Sequence, residues 1–488
     1  MDGSARMAAV NAGKTARYMS RALGRGGGST LPGFLAQRIY PGVVEDLSQQ
    51  ILQGCVLVTG TNGKTTTIRI LADALHGSGF RVITNPEGSN LWRGIATALV
   101  IHANGWGKIG HSRGTIGVFE VDEGALHQVV AILFPRLIIV TNLFRDQLDR
   151  YFEVDFVAHL WSAALARLSP STAVVLNADD PQVAYLREQI PGKGIAFDLD
   201  DAKWARFGLE HAADSRRCPR CHHDLAYEVS YFAHLGHYVC RECGWKPLDP
   251  LFVAKGVEIE GLKGVHFRIS TPDGDRYFDT HLAGFYNYYN ALAALTRAAC
   301  LGLDLSQVQE ATKRVSGAFE RLEWAWVGEH EACLVLVKNP SGFNEALRLI
   351  LSAGGASKRM VFALNDNGPD GRDVSWIWDV DFELCQKGAC LAAVSGKRAQ
   401  DLALRLKYAE VIGSEDRWGD KTALSAGFLI EENVVRAFDK AMDRISVGET
   451  LYVLASYTPM WTLRRELVRR GHLDPFWHTK SAQRPVVL

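Results

Sequence analysis

Short apolar runs alternate with helix-length segments through most of this chain, and they fall into two sets. In the first, Val56-Leu57-Val58, Arg81-Val82-Ile83-Thr84, Ile116-Gly117-Val118-Phe119, Leu137-Ile138-Ile139-Val140 and Ala173-Val174-Val175-Leu176 are dense in β-branched and aliphatic residues. Runs of this length read as strands, and the helix-length spacing between them predicts βαβ units in a mostly parallel sheet. The second set, Leu334-Val335-Leu336-Val337, Met360-Val361-Phe362-Ala363-Leu364, Leu391-Ala392-Ala393-Val394 and Leu451-Tyr452-Val453-Leu454, predicts a separate α/β domain. Gly317-Ala318-Phe319-Glu320-Arg321-Leu322-Glu323 marks the boundary between them. The expected organisation is a basic leader over 1–46, a central domain over 47–315 and a C-terminal domain over 316–488.

The first strand runs into Gly60-Thr61-Asn62-Gly63-Lys64-Thr65-Thr66, and the residues after it have helical apolar spacing. Strand, glycine-containing turn and helix together form a phosphate loop, in which backbone N–H groups and the helix dipole converge on an anion. Lys64 is expected to reach the outer phosphates, and the Thr65 hydroxyl to hold Mg²⁺. The usual pattern wants a glycine where this chain has Val58, so the loop is a shortened variant. Ligands of open α/β sheets sit at the carboxyl ends of the strands. There the chain places Glu120, Thr141-Asn142 and Asn177-Ala178-Asp179-Asp180-Pro181. Glu120 is the expected Mg²⁺ carboxylate, with Asp122 and Glu123 close enough to be confused with it.

Charge changes the picture only locally. Fifty-four basic residues balance fifty-four acidic ones, so no whole-protein field recruits nucleic acid. From Arg6 to Arg38, however, the chain carries Arg6, Lys14, Arg17, Arg21, Arg25 and Arg38 and no acid. Met7 to Leu23 can form a short helix that Gly24-Arg25-Gly26-Gly27-Gly28 stops. A solvated leader is the plain reading of this stretch; a surface facing anionic headgroups or a pyrophosphate is the sharper one. No apolar run approaches the ~20 residues of a spanning helix and no secretory signal core is present, so the expected compartment is cytoplasmic.

Four of nine cysteines form Cys218-Pro219-Arg220-Cys221 and Cys240-Arg241-Glu242-Cys243, with positions 222–239 between the pairs. This spacing predicts a zinc ribbon inserted over 212–250, a closed and therefore structural site. His222, His223, His234 and His237 are possible substitutes or bystanders, and the insert lacks the basic patch of a nucleic-acid reader. The remaining cysteines, Cys55, Cys300, Cys333, Cys385 and Cys390, read as buried thiols. Two asparagines, Asn287 and Asn290, open a predicted helix, where they suggest capping or ligand contact. In the C-terminal domain, Asn365 to Asp379 packs aspartates, glycines and two tryptophans into one loop, a composition more often functional than not. Metal binding, a partner contact and a catalytic carboxylate are all open for that loop on its chemistry.

These motifs, taken in order, resemble the Mur ligase family, and within it most closely the MurT-type branch. The carriers are the Gly-Thr-Asn-Gly-Lys-Thr-Thr loop, Asn85-Pro86-Glu87-Gly88-Ser89-Asn90, Phe119 to Gly124, Phe144-Arg145-Asp146-Gln147-Leu148-Asp149-Arg150, the four-cysteine insert, Gly284 with Asn287 and Asn290, Lys338-Asn339-Pro340 and the Asp366 to Trp378 loop. The resemblance implies an α/β fold: a central P-loop ATPase domain with a parallel sheet and zinc-ribbon insertion, and a Rossmann-like C-terminal domain. It implies ATP, Mg²⁺ and structural Zn²⁺ as cofactors. ATP would be bound by Gly60, Thr61, Asn62, Gly63, Lys64, Thr65, Thr66, Asn290 and Arg321. Asn85, Ser89, Asn90 and Asn142 are the candidate substrate contacts. The implied reaction is ATP-dependent amidation of the D-glutamate α-carboxylate in the lipid II stem through an acyl phosphate, at the inner face of the membrane. Ammonia would come from a GatD-like glutamine amidotransferase subunit, and Asp373 would supply the acid that orients that partner's histidine; Asp373 could instead cap the following turn. A stand-alone amino-acid ligase of peptidoglycan or folate type, or a non-catalytic ATP-binding scaffold, are the rival readings. Gln147 and Tyr286 stand where many family members have histidine, Glu320 stands where the branch often has glycine, and the family's carbamylated lysine has no clear counterpart here.

Overall fold

The structure is a computed structural model and describes residues 3–22, 30–85, 89–110, 114–146, 153–260, 264–282, 284–315, 322–352, 358–386, 389–412, 429–446 and 448–474. Among the described residues, eleven strands precede the boundary: β1 (Cys55–Thr59), β2 (Arg81–Ile83), β3 (Thr115–Glu120), β4 (Leu137–Val140), β5 (Ala173–Asn177), β6 (Gly194–Leu199), β7 (Ala226–Phe232), β8 (Leu235–Val239), β9 (Phe252–Glu260), β10 (Gly264–Thr271) and β11 (Gly274–Thr280). Nine of them form one sheet in the order β11-β10-β9-β6-β5-β4-β1-β3-β2. It is parallel from β2 to β9, and β10 and β11 add an antiparallel edge. β7 and β8 stand apart as the hairpin of the cysteine insert.

Successive side chains of a strand point to opposite faces, and β1 displays this directly. Val56 and Val58 join one buried cluster with the helix Lys64–Gly77, whereas Cys55 and Leu57 join the other. Both faces are covered, which is why these strands read as continuous apolar runs rather than alternating ones.

The N-terminal stretch departs from the expected solvated leader. Gly3–Ala22 and Leu31–Ile39 are helices, and Ala9, Val10 and Ala36 are fully buried. Small residues allow this close approach: a Cβ at Gly13 would lie 2.8 Å from the Pro32 carbonyl oxygen, and one at Gly33 only 2.5 Å from that of Arg93.

The second body is a six-stranded sheet, β12 (Glu323–Val327), β13 (His330–Leu336), β14 (Lys358–Ala363), β15 (Ala389–Ser395), β16 (Leu429–Glu431) and β17 (Thr450–Ala455), ordered β12-β13-β17-β14-β15-β16. All pairs are parallel except β12 with β13. Met360 and Phe362 face one core, Val361 and Ala363 the other. Among the described residues, no helix is long and apolar enough to cross a membrane. Cys55, Cys333 and Cys385 are buried as expected and Cys390 partly so, but Cys300 is exposed, being the last residue of the helix Tyr286–Cys300.

Candidate active site

The loop between β1 and the helix Lys64–Gly77 is held open by two glycines in backbone conformations that side chains resist. Gly60 has φ +134° and a Cβ there would meet Thr141 Oγ1 at 2.1 Å; Gly63 has φ +89° and a Cβ would meet Asn290 Oδ1 at 1.8 Å. Asn142 clamps the loop from the end of β4: its Oδ1 accepts from the Asn62 N–H (2.8 Å), its Nδ2 donates to the Asn62 carbonyl (3.1 Å), and its own carbonyl accepts from the Thr61 N–H (3.0 Å). The Thr61 hydroxyl donates to the Phe144 carbonyl (3.1 Å) and accepts from the Phe144 N–H (2.9 Å). Thr66 is buried behind the loop.

Lys64 lies inside this loop. Its ammonium donates to the carbonyls of Gly60 and Thr61 and to Glu123 Oε2 (2.9 Å). Burial alone would lower its pKa, but the charges of Glu123, Glu120 and Asp122 outweigh burial and hold it above the ordinary lysine value. Burial would likewise raise Glu123, and Lys64 and Lys338 reverse that, leaving it below the ordinary carboxyl value. The fully buried Trp161 indole fixes Glu123 by donating to its carbonyl (2.8 Å).

The two acids are therefore divided in role: Glu123 answers Lys64, and Glu120 answers Thr65, whose hydroxyl donates to Glu120 Oε2 at 2.8 Å. A hydroxyl beside a carboxylate is a hard-oxygen donor pair that suits Mg²⁺. Asn85 sets Glu120 in place, accepting from its N–H (2.8 Å) and donating to its carbonyl (3.0 Å) and to that of Ser89 (2.8 Å). Among the substrate candidates, then, Asn85 and Asn142 hold backbone, Ser89 is buried, and Asn90 lines the cleft. Asn290 donates its amide N–H to Asn287 Oδ1 (2.9 Å), accepts at its carbonyl from the Thr67 hydroxyl (3.4 Å), and crowds Gly63 with its Oδ1. Arg321, Glu320 and Gln147 lie outside the described residues.

The cleft in front of the loop measures about 290 Å³ and lies between the two bodies. Its loop end is lined by Thr61, Asn62, Gly63, Lys64, Thr65 and Glu120, and its far end by apolar residues of the C-terminal body such as Leu322, Val335, Val337 and Ile350. A polar cradle facing an apolar slot fits a phosphate chain carrying a flat ring system. Asn62 Nδ2 and Asp146 Oδ1 are buried with no hydrogen-bond partner among the described residues, which leaves polar capacity for a ligand at that end.

Besides Arg348–Glu210 and His211–Asp381, which also join the bodies, three contacts among the described residues lie at the loop. Lys338 pairs with Asp146, Asn339 Nδ2 reaches Asn62 Oδ1 (3.4 Å), and Arg145 Nη1 meets Asp379 Oδ2 (3.1 Å) while its Nε pairs with Asp214. A second, smaller polar cleft is lined by Arg145, Asp146, Asp370, Asp373, Trp376 and Asp379. Lys338, Asn339 and Asp370 line both clefts, so they share a wall. Asp373 caps the turn that follows it, its Oδ1 accepting from the Ser375 N–H at 2.8 Å, and also faces this second cleft. The loop is pinned by Asp370, which accepts from the N–H and hydroxyl of Thr458 (2.7 and 2.6 Å).

In the cysteine insert all four sulfurs lie within 4.8 Å of one another, with Cys218–Cys243 at 3.7 Å and Cys221–Cys240 at 3.4 Å. Tetrahedral zinc with bonds of about 2.3 Å separates its sulfurs by about 3.8 Å, so the four thiols fit the ion. The nearby histidines are spent elsewhere. His237 Nε2 bonds the Leu199 carbonyl (2.8 Å), His223 Nδ1 the Cys221 carbonyl (3.2 Å), and the wholly buried His234 bridges the Asp214 N–H and Asp180 Oδ2 (3.3 Å each).

The insert also reaches the nucleotide cradle, which the spacing of its cysteines did not announce. Phe232 of β7 lines the main cleft, and Phe144, whose backbone holds Thr61, packs between Phe232 (5.3 Å) and His234 (4.6 Å). Asp180 in turn accepts from the Leu143 N–H (2.7 Å).

The family profile "Mur ligase middle domain" matches residues 58–229, and "MurT ligase C-terminal" matches residues 336–460. The chain is 33% identical over 453 residues, 93% of its length and 96% of the relative's, to the lipid II isoglutaminyl synthase (glutamine-hydrolyzing) subunit MurT of Staphylococcus aureus (strain N315). To the MurT subunit of Streptococcus pneumoniae (strain ATCC BAA-255 / R6) it is 32% identical over 462 residues, 94% and 96% of the two chains. In fold it is similar to a pseudomurein peptide ligase type C from Methanothermus fervidus (TM-score 0.64, 22% identity, 88% of this chain and 81% of that one) and to MurF from Acinetobacter baumannii (TM-score 0.62, 17% identity, 89% and 80%). Phosphate cradle, cysteine insert and C-terminal body thus meet in one lineage, and the chain belongs to the family of MurT subunits, built on the Mur ligase fold.

Proposed function

We propose that this chain is the ATP-consuming subunit of a lipid II isoglutaminyl synthase, which amidates the D-glutamate α-carboxylate of the lipid II stem peptide. The observation that carries the reading is the cradle itself: Lys64 and the Thr65–Glu120 pair stand at one end of a cleft that the C-terminal body closes. ATP places its phosphates against the loop N–H groups and its ring system toward the apolar slot. Thr65 and Glu120 hold Mg²⁺, which neutralises phosphate charge. Lys64 leaves the Gly60 and Thr61 carbonyls for the outer phosphates, where its ammonium offsets the charge spread over the moving phosphoryl group. The substrate carboxylate attacks the terminal phosphorus, whose bond to ADP breaks, and ADP leaves as the acyl phosphate forms. Ammonia then attacks the acyl carbon and phosphate departs, giving the amide and one released proton.

The ammonia comes from a glutaminase partner of the GatD type. The second cleft supports this reading, because Asp373 is half-buried there and that cleft shares the wall of Lys338, Asn339 and Asp370 with the nucleotide cleft. A carboxylate at that place can orient an imidazole supplied by the partner and favour its protonated form.

The test uses the chain with its partner, lipid II, ATP and either glutamine or ammonium, and follows the product, about one mass unit lighter, by mass spectrometry. Lys64→Ala is expected to abolish amidation from both nitrogen sources. Asp373→Asn is expected to abolish use of glutamine and spare use of ammonium; equal damage to both would refute its role. Turnover of ATP with an amino acid and no partner would favour a stand-alone ligase instead.

A further inference from the structure

We propose that the exposed face of the N-terminal helices, continued onto the start of the helix Trp92–His102, is a docking surface for an anionic phospholipid bilayer. The helix Leu31–Ile39 is sandwiched: Gly33 packs against the backbone of Arg93 and Thr97 on one side, and Pro32 against Gly13 on the other. What remains free is its outer face, where Leu31, Phe34 and Arg38 follow at helical spacing and are all exposed. Arg93 lays its guanidinium over the Phe34 ring at 4.7 Å, and Leu91, 43% exposed, lies two residues before it. At the end of the helix Gly3–Ala22, Tyr18 and Met19 are 76% and 56% exposed.

This is large apolar surface left in water beside basic side chains. Between Arg6 and Val44 there is no acidic residue, although the chain as a whole is neutral. An interfacial face is recognised by that pairing: aromatic and aliphatic groups that enter the headgroup boundary, and arginines that meet lipid phosphates. A water-facing leader needs no exposed Phe and Leu, and an acidic protein partner is the competing occupant. Position favours the bilayer. Leu91 directly follows Asn90, which lines the nucleotide cleft, so a membrane lying on this face brings a lipid-linked substrate to the cleft mouth. The proposal rests on the amidation reading only for the identity of that substrate; the surface itself is argued from charge and exposure.

The test is co-sedimentation of the full chain with phosphatidylcholine vesicles, with and without phosphatidylglycerol. Binding is expected only when the anionic lipid is present, and is expected to fall as salt rises. Arg38→Gln and Arg93→Gln should each weaken it about five-fold, and Phe34→Ser by a similar factor. Thermal midpoints verify that each variant is folded, and amidation of a water-soluble muropeptide lacking the prenyl chain should be unchanged in all three. Absence of binding, equal binding to neutral vesicles, or equal binding by wild type and variants would overturn the surface. Displacement of vesicles by the glutaminase partner would assign the face to that protein instead. If the soluble muropeptide is not amidated even by wild type while the vesicle results hold, the reaction assignment fails and the surface stands.

Discussion

Glu123→Gln isolates the most unusual contact of the cradle. The Lys64 ammonium and the Glu123 carboxylate meet at 2.9 Å with side chains only 8% and 5% exposed. Removing one partner of such a buried pair costs about 3–5 kcal/mol. Glutamine retains an oxygen that can accept from the ammonium, so only the charge is lost, and about 2 kcal/mol is the expected destabilisation. At roughly 2–4 °C per kcal/mol for a domain of this size, Tm falls by about 4–8 °C. Nucleotide should reverse the sign of the effect. In the free variant Lys64 is buried without its nearest counter-charge, and ATP phosphates restore one, whereas in wild type ATP must first draw Lys64 from Glu123. The variant is therefore expected to bind ATP·Mg²⁺ more tightly, by up to about thirty-fold if the full 2 kcal/mol is recovered. The pH dependence carries its own sign. Glu123 has a lowered folded pKa, so its contribution is present above the ordinary carboxyl value and lost as pH falls through the folded one; Lys64 has a raised pKa, so its contribution is lost only as pH rises through that value. Glu123→Gln should thus flatten the acid limb of stability. Differential scanning fluorimetry with and without ATP, together with a Lys64→Met/Glu123→Gln double-mutant cycle, measures all of this. A coupling below about 0.5 kcal/mol, or weaker ATP binding by Glu123→Gln, would refute the account.

Further outcomes follow from other contacts. The purified chain should carry one zinc by native mass spectrometry, and Cys240→Ser should lose the ion and lower Tm. Lys338→Ala, which breaks the pairing with buried Asp146 across the cleft, should raise KM for ATP more than it alters stability of either body, as read by steady-state kinetics and unfolding. Asp198, buried and close to Asp200, has its carboxyl pushed up to about 7. Because the folded form binds that proton more tightly than the unfolded chain, the contribution of Asp198 to stability should fall as pH rises from about 4 to 7, by no more than about 1.4 kcal/mol per pH unit, and Asp198→Asn should make the slope shallower without abolishing it, since burial and Asp198 also raise the neighbouring Asp179.

What the sequence discloses and what it conceals divide along physical lines. The strands, the phosphate loop and the cysteine spacing are local patterns, and each lies where its residues indicate. Glu120 was legible because a carboxylate ending a buried strand beside a phosphate loop has few other uses. Glu123 was not separable from it, since its pairing with Lys64 depends on the strand β3 register and on Trp161, neither of which is local. The prop from His234 through Asp180 to Leu143 joins residues far apart in the chain, and only the fold brings them together. The N-terminal helices were misread as a solvated leader because their buried stripe is alanine, valine and glycine, too small to stand out beside six basic residues. The docking of the two bodies through Arg145, Lys338 and Asn339 has no signature in periodicity at all.

The clasp across the cleft has a consequence for tempo. A fuel chamber walled by two separate lobes cannot discharge its spent nucleotide while Arg145–Asp379, Lys338–Asp146 and Asn339–Asn62 stay latched. Each round must include a breathing stroke in which the lobes swing apart against solvent drag, and thickening the medium with sucrose should slow multiple turnovers while leaving the first burst of phosphate untouched.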